Sequence, residues 1–302
     1  SPLTRGDLLA AGGDMIVVAL NYRVGALGWA ELSHLGGPLA DASNLGLRDL
    51  LAGLSWVQRN IAAFGGDPDR VTVMGESAGS FALCALLAAP EASPLFQSLA
   101  AFSGCASRIV PIENARRLGE AILDELGADP MSADPSEWIA AQRRASPKDL
   151  GLRNSADAYT LGVVDDRGQD GAVLQRHPLE AVQAGAWGAR RMLIGTTRDE
   201  AAHFPVPDDD SHVALTQHIA RWTSSPRAAE IAADYLADEP GPIAVHRRVL
   251  TDWVYRLPSI RLADAVAAAG GRAYLSTVGR VDGGPASHGA DVPGLFARSL
   301  AD

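Results

Sequence analysis

The pentapeptide Gly75-Glu76-Ser77-Ala78-Gly79 constrains this chain more than any other segment. Val71-Thr72-Val73-Met74 before it reads as a buried strand, and Phe81-Ala82-Leu83-Cys84-Ala85-Leu86-Leu87 after it reads as an apolar helix. A G-x-S-x-G pattern is common, but between a strand and a helix it becomes a nucleophile elbow, a turn so sharp that the serine hydroxyl projects outward. Glycines two residues to either side fit that geometry, because they remove Cβ atoms where helix and strand approach.

The same alternation extends along the chain. Met15-Ile16-Val17-Val18-Ala19-Leu20-Asn21 is a run suited to a strand buried on both faces. Asn44 can cap a helix reaching about Phe64, with Leu47, Leu50, Leu51 and Leu54 at helical spacing, and Gly65-Gly66-Asp67-Pro68 ends it. Leu99-Ala100-Ala101-Phe102-Ser103, Met192-Leu193-Ile194-Gly195 and Ala273-Tyr274-Leu275-Ser276-Thr277-Val278 supply further strands. Strands alternating with helices predict an α/β fold with a parallel sheet and helices on both faces. Two stretches, about 108–188 and 205–270, read as helical excursions from one sheet rather than as separate domains. The first contains the irregular polar loop Asp165-Asp166-Arg167-Gly168-Gln169-Asp170-Gly171. Asp208-Asp209-Asp210 lacks the spacing of a calcium loop and reads as a solvated turn.

Composition excludes several classes. The 302 residues are 47% hydrophobic, enough for a large core, and carry a formal net charge of −10 with no basic run, which disfavours a nucleic-acid partner. No apolar run approaches the roughly 18 residues of a membrane span. Cys84 and Cys105 are the only cysteines, so neither a disulfide framework nor a zinc site is expected, and Cys84 reads as core. Residues 1–5 lack a signal-peptide pattern, which favours the cytoplasm but leaves the location open, since the true N-terminus is expected to lie outside this sequence.

A serine hydroxyl at its own pKa is a poor nucleophile and needs a base, oriented by a third group. In α/β-hydrolases these arrive in the order serine, acid, histidine. Of the histidines after Ser77, His177 precedes Pro178 at a helix start, His203 lies close behind Glu200, and His212, His218 and His246 fall in helix-like contexts that predict surface positions. His288 differs, in the glycine-bracketed loop Gly283-Gly284-Pro285-Ala286-Ser287-His288-Gly289 after the last clear strand, where a catalytic base belongs in such a sheet. Position alone leaves His288 as either that base or a plain loop histidine. It also leaves Asp199 and Glu200, in Gly195-Thr196-Thr197-Arg198-Asp199-Glu200, as alternative acids. Asp291 is too near His288 in sequence to be the favoured partner.

Several blocks together resemble the type B carboxylesterases, the family of bacterial para-nitrobenzyl esterases and cholinesterases. They are Asn21-Tyr22-Arg23-Val24-Gly25-Ala26-Leu27-Gly28, Asn44-Leu45-Gly46-Leu47-Arg48-Asp49, Phe64-Gly65-Gly66-Asp67-Pro68, the pentapeptide, Phe102-Ser103-Gly104, Gly195 to Glu200, and His288-Gly289. They occur in family order over nearly the whole chain. The resemblance implies an α/β-hydrolase fold and hydrolysis of small-molecule carboxylic esters through an acyl-enzyme, with no metal or organic cofactor. It implies Ser77 as nucleophile, Glu200 as the acid and His288 as the base, and Ala78 N–H as an oxyanion donor. Ser103 matches a family serine that supports the triad, and Glu76 a family carboxylate read as buried and structural. Two further readings accompany this one. A hydrolase-like binding scaffold typically loses a triad position, and all three are present; a lipase needs an apolar lid, and none is identifiable.

The resemblance also implies a glycine-rich oxyanion loop before Met15, and nothing there matches it. Gly12-Gly13 reads as the turn into the following run. The expectation is therefore the middle of a longer family member, incomplete at both ends, with the remaining oxyanion donors on a segment outside this sequence; the alternative is an inactive fragment, because the oxyanion loop is absent.

Overall fold

The computed structural model describes residues 6–145, 161–206, 209, 211–238, 241–279 and 283–296. Its strands are β1 (Thr72–Glu76), β2 (Ser98–Phe102), β3 (Val110–Pro111), β4 (Val164–Asp165), β5 (Arg191–Thr197) and β6 (Arg272–Val278). Among the described residues β3 and β4 pair only with each other. The remaining four form one sheet in the order β1-β2-β5-β6, with every neighbouring pair parallel. This is the parallel α/β arrangement that the strand–helix alternation predicts, and it fits the α/β-hydrolase fold that the resemblance implies.

Register explains which residues the core takes. Val73, Leu99, Met192 and Ala273 stand side by side across the sheet, and the first three are buried. One residue further on, Met74, Ala100, Leu193 and Tyr274 form a row on the opposite face. There Met74 and Leu193 are each 39% exposed and Tyr274 53%, so the two faces are unequally covered among the described residues.

The helix Leu45–Asn60 turns Leu47, Leu50, Leu51, Leu54 and Val57 inward and continues as a 3₁₀ turn through Phe64. Asn44 takes the position before this helix, but its side chain does not cap it. With φ at +49°, its amide instead donates to Val164 O at 2.9 Å and accepts from Val164 N at 2.8 Å, tying the helix start to β4. A carboxamide aimed at a complete backbone donor–acceptor pair makes two hydrogen bonds where a cap makes one.

The run Met15–Asn21 forms no strand. Met15, Ile16, Val17 and Val18 are 37–49% exposed. The composition is that of a strand covered on both sides, but the run acquires no ladder partner among the described residues, and a lone extended segment gains nothing from β propensity. Ahead of it, Gly12 and Gly13 close a short helix, Asp7–Gly13.

Between β2 and β5 the chain forms the helices Ile112–Leu126, Pro135–Ala145 and Pro178–Gln183. His177 caps the last of these through a reciprocal capping box with Glu180. Between β5 and β6 come the helices His212–Thr223, Ala228–Asp238, Pro242–Leu250 and Leu257–Ala268, the last two joined by the π-helical turn Thr251–Arg256. Asp208 and Asp210 lie outside the described residues, and Asp209 accepts the Ser211 N–H at 2.9 Å in a turn.

One expected surface histidine is buried. His246 is 4% exposed, with its ring 4.8 Å from that of Trp222 and 5.6 Å from that of His218. Pro242–Leu250 is amphipathic, and His246 falls beside Val245 and Val249 on its inner face. Burial first, then the neighbouring charges of His218 and Arg247, push its pKa down to about 4. Cys84 is core, as its apolar flanks predict, and Cys105 is likewise a buried free thiol.

Candidate active site

Four strand ends meet at one edge of the sheet. Ser77 follows β1, Ser103 follows β2, Glu200 lies three residues beyond β5, and His288 ten beyond β6. Because the strands are parallel and adjacent, these exits share the carboxyl edge, where open α/β sheets place their sites.

Ser77 has φ 51° and ψ −120°, a backbone region that costs a non-glycine residue strain. The conformation is held from two directions. Ser77 N–H extends the ladder to Phe102 O at 2.9 Å, and Ser77 O accepts Phe81 N–H at 3.0 Å inside the helix Ala78–Ala85. Gly75 is required here, since a Cβ on it would lie 2.7 Å from Gly79 C and 2.8 Å from Ser80 N. Gly79 is not required on the same ground, for its nearest neighbour would be Tyr22 Oη at 4.0 Å. Ala78 is the first residue of the helix, so its N–H has no acceptor within it and lies at the positive end of the dipole.

His288 bridges two side chains. Its Nδ1 lies 2.6 Å from Glu200 Oε2 and its Nε2 lies 2.7 Å from Ser77 Oγ. A carboxylate can only accept, so it fixes the tautomer with the proton on Nδ1 and leaves the Nε2 lone pair facing the serine hydroxyl. Glu200 is fully buried. Its other oxygen, Oε1, accepts Thr197 N–H at 2.7 Å and Ser103 Oγ–H at 2.8 Å, so the charge is met by three donors in all. Ser103 is itself buried, with φ 48°, and its N–H donates to Gly195 O at 2.8 Å, continuing the β2–β5 pairing. Asp199 points elsewhere, pairing with Arg198 at 2.9 Å and accepting Ala286 N–H at 3.0 Å, which anchors the histidine loop.

Two more carboxyls approach the imidazole. Glu76 Oε1 is 3.5 Å from His288 Nε2 and is buried with no hydrogen-bond donor among the described residues. Its side chain is 28% exposed, so the expected buried structural carboxylate is instead a partly open one facing the imidazole. Burial raises its pKa above the ordinary carboxylate range, and the nearby acids Asp291 and Glu200 add to this against the opposing pull of His288. Asp291 is buried with neither carboxylate oxygen in a well-formed hydrogen bond among the described residues, and burial raises its pKa too. Among the described residues no group of three or more His, Cys, Asp or Glu side chains could hold a metal ion, and no helix is long and apolar enough to cross a membrane.

Sequence reasoning misses the aromatic wall. The ring of Tyr255 lies 5.2 Å from that of His288, and Phe204 lies 5.8 Å from it edge-on. Phe204 could be anticipated only as a near neighbour of Glu200. Tyr255 has no motif to announce it.

The profile of the carboxylesterase family matches residues 1–301. The para-nitrobenzyl esterase of Bacillus subtilis (strain 168) is 38% identical over 87% of this chain and 53% of its own. A probable N-octanoylanthranilate hydrolase of Rhodococcus erythropolis is 33% identical over 93% of this chain and 57% of its own. Among solved structures, a PNB esterase superposes with a TM-score of 0.83 at 32% identity, covering 98% of this chain and 60% of that one. The Geobacillus stearothermophilus carboxylesterase EST55 superposes with a TM-score of 0.77 at 32% identity, covering 99% and 62%. The chain thus spans little more than half the length of these relatives.

Proposed function

Because the chain belongs to the carboxylesterase family, we propose that it hydrolyses carboxylic esters through an acyl-enzyme, with Ser77 as nucleophile, His288 as general base and acid, and Glu200 as the group that orients the histidine. The observation that carries this reading is the imidazole bridging Glu200 Oε2 at 2.6 Å and Ser77 Oγ at 2.7 Å.

His288 Nε2 removes the proton as Ser77 Oγ attacks the ester carbonyl carbon. The resulting imidazolium is stabilised by Glu200, which keeps its own three donors throughout. The carbonyl oxygen becomes negative and draws on Ala78 N–H at the helix start; one such donor is worth roughly 10²–10³ in rate. The tetrahedral intermediate collapses as His288 returns the proton to the departing alkoxide oxygen. A water molecule then attacks the acyl carbonyl with His288 again as base, releasing the acid and restoring Ser77. Ser103 keeps Glu200 from turning. Short to medium acyl esters are the proposed substrate class, and the longer relatives supply the model for the complete protein.

The test is labelling with a fluorophosphonate, which reacts only with an activated serine. We expect the wild-type chain to be labelled at Ser77 and Ser77→Ala to remain unlabelled. Equal labelling of the two would remove Ser77 from the role.

A further inference from the structure

The loop that carries His288 contains Gly283, Gly284 and Gly289, and its backbone is tied to the acid's loop by Ala286 N–H on Asp199 and His288 N–H on Glu200 O. A separate support for the imidazole ring comes from the π-helical turn Thr251–Arg256, where Tyr255 lies 33 residues earlier in sequence. A π turn inserts one residue into a helix, rotating everything beyond it by about 100° relative to a continuous helix. Here it interrupts what is otherwise an unbroken passage from Pro242–Leu250 to Leu257–Ala268.

The turn reaches the site in three places. Thr251 Oγ1 accepts the N–H of Ala201, the residue after Glu200, at 3.1 Å. Arg256 Nη2 donates to Arg198 O at 3.0 Å, two residues before Glu200, while its Nη1 is held by Asp252 at 2.5 Å. Between them Tyr255, 1% exposed, inclines its ring 47° to the His288 imidazole with the centroids 5.2 Å apart. Phe81, one turn into the helix behind Ser77, backs Tyr255 at 6.1 Å. One turn of backbone therefore touches the acid's loop on both sides and the base's ring.

We propose that Tyr255 is a positioning residue for His288, delivered by this π turn so that the imidazole and the Glu200 loop are held against a common support. The proposal rests on the triad reading above. Its physical content is that the imidazole must keep Nδ1 on Glu200 while Nε2 passes a proton from one oxygen to another. An aromatic ring beside it blocks the rotation that would break either contact. The ring also favours the imidazolium formed after each proton transfer, since a cation near an aromatic ring is stabilised by its quadrupole.

The experiment compares Tyr255→Phe, which keeps the ring, with Tyr255→Leu and Tyr255→Met, which remove it, in the full chain. Active sites are counted by fluorophosphonate labelling, so that misfolded protein does not enter the rate. For a p-nitrophenyl ester we expect kcat per labelled site to fall about 10- to 100-fold in the Leu and Met variants, with KM changed less than about threefold, as for a misplaced catalytic group. Tyr255→Phe should restore the wild-type rate. The second readout is the His288 Cε1–Hε1 NMR resonance, also recorded in a Ser77→Ala background. We expect a single narrow line in wild type and Tyr255→Phe, and a shifted, broadened line where the ring is absent. Wild-type kcat per site together with an unmoved resonance in either aliphatic variant overturns the proposal. Should one of these fail to fold, the other carries both measurements. Failure of wild type to label at Ser77 would sink the triad reading instead, and the resonance would still judge Tyr255.

Discussion

The two flanks of the His288 imidazole are built on opposite plans. On the Nδ1 side Glu200 is fully buried and has every charge-bearing oxygen met: His288 and two further donors, from Thr197 and Ser103. On the Nε2 side Glu76 lies beside the ring at 3.5 Å with a buried oxygen that receives no hydrogen bond among the described residues. Both carboxylates come from strand ends of one sheet, yet only the first is held in place by its surroundings. The difference teaches that burial and satisfaction are separate variables. A buried carboxylate stays ionised when donors replace its water, and drifts toward its protonated form when they do not. The saturated flank is built to hold one orientation, and the unsaturated flank is left able to change its proton.

The harshest way to break this comparison is to disarm the saturated side. Glu200→Gln replaces an acceptor-only group with one that can present NH₂ to Nδ1, favouring the wrong tautomer. We expect kcat for an ester substrate to drop about 10³- to 10⁴-fold with the fold intact by circular dichroism, by the magnitude known for a triad acid made into its amide. Ser103→Ala removes a single donor from Oε1, and steady-state kinetics should show a loss of about tenfold, the worth of one hydrogen bond to a charged group. On the other flank, Glu76→Gln should change kcat by only about threefold near neutral pH, the scale of one partly solvated charge pair. Because the Glu76 pKa is raised, wild type already carries the neutral form as pH falls. The two proteins should therefore converge in rate toward acid pH, and a gap that widened there would contradict the assignment.

His246 sharpens the contrast as a buried imidazole whose Nε2 receives no hydrogen-bond partner among the described residues. Its pKa is depressed to about 4 in the fold from an ordinary 6.5. The unfolded chain therefore takes up its proton first as pH falls. The stabilising contribution of the neutral ring is complete above about 6.5 and is lost progressively down to about 4. Urea midpoints measured across that window should decline in wild type and decline less steeply in His246→Leu.

Much of this was legible in the sequence, for reasons that differ by residue. The elbow at Ser77 could be read because a strand, a strained serine and a helix must be contiguous, and Gly75 is imposed by a close backbone approach. Strands β2 and β5 could be read because parallel strands buried in an interior need unbroken apolar runs, whereas β6 showed only as a mixed run and lies largely exposed. Met15 to Val18 has the same composition and is not a strand, since a run of apolar residues specifies what a strand needs and not whether a neighbour supplies it. Asn44 shows the same limit on a smaller scale: the residue type allows a cap, and the position of Val164, 120 residues away, decides otherwise. His246 was hidden by the polar residues around it, although Val245 and Val249 mark its face as the inner one. The choice of Glu200 over Asp199 rested on resemblance alone. In the structure it is Glu200 whose carboxylate meets the imidazole, while Asp199 faces Arg198. The π turn left no trace in the sequence, because one inserted residue shifts a helical pattern without erasing it.

The adjacency β1-β2-β5-β6 also sets a timetable. Ser77 and His288 lie 211 residues apart along the chain yet share a hydrogen bond. Contacts of such long separation form late in refolding, after local helices and short loops have closed. Ester turnover regained after dilution from denaturant should therefore trail the recovery of helical signal, and it should appear only once β6 has docked beside β5.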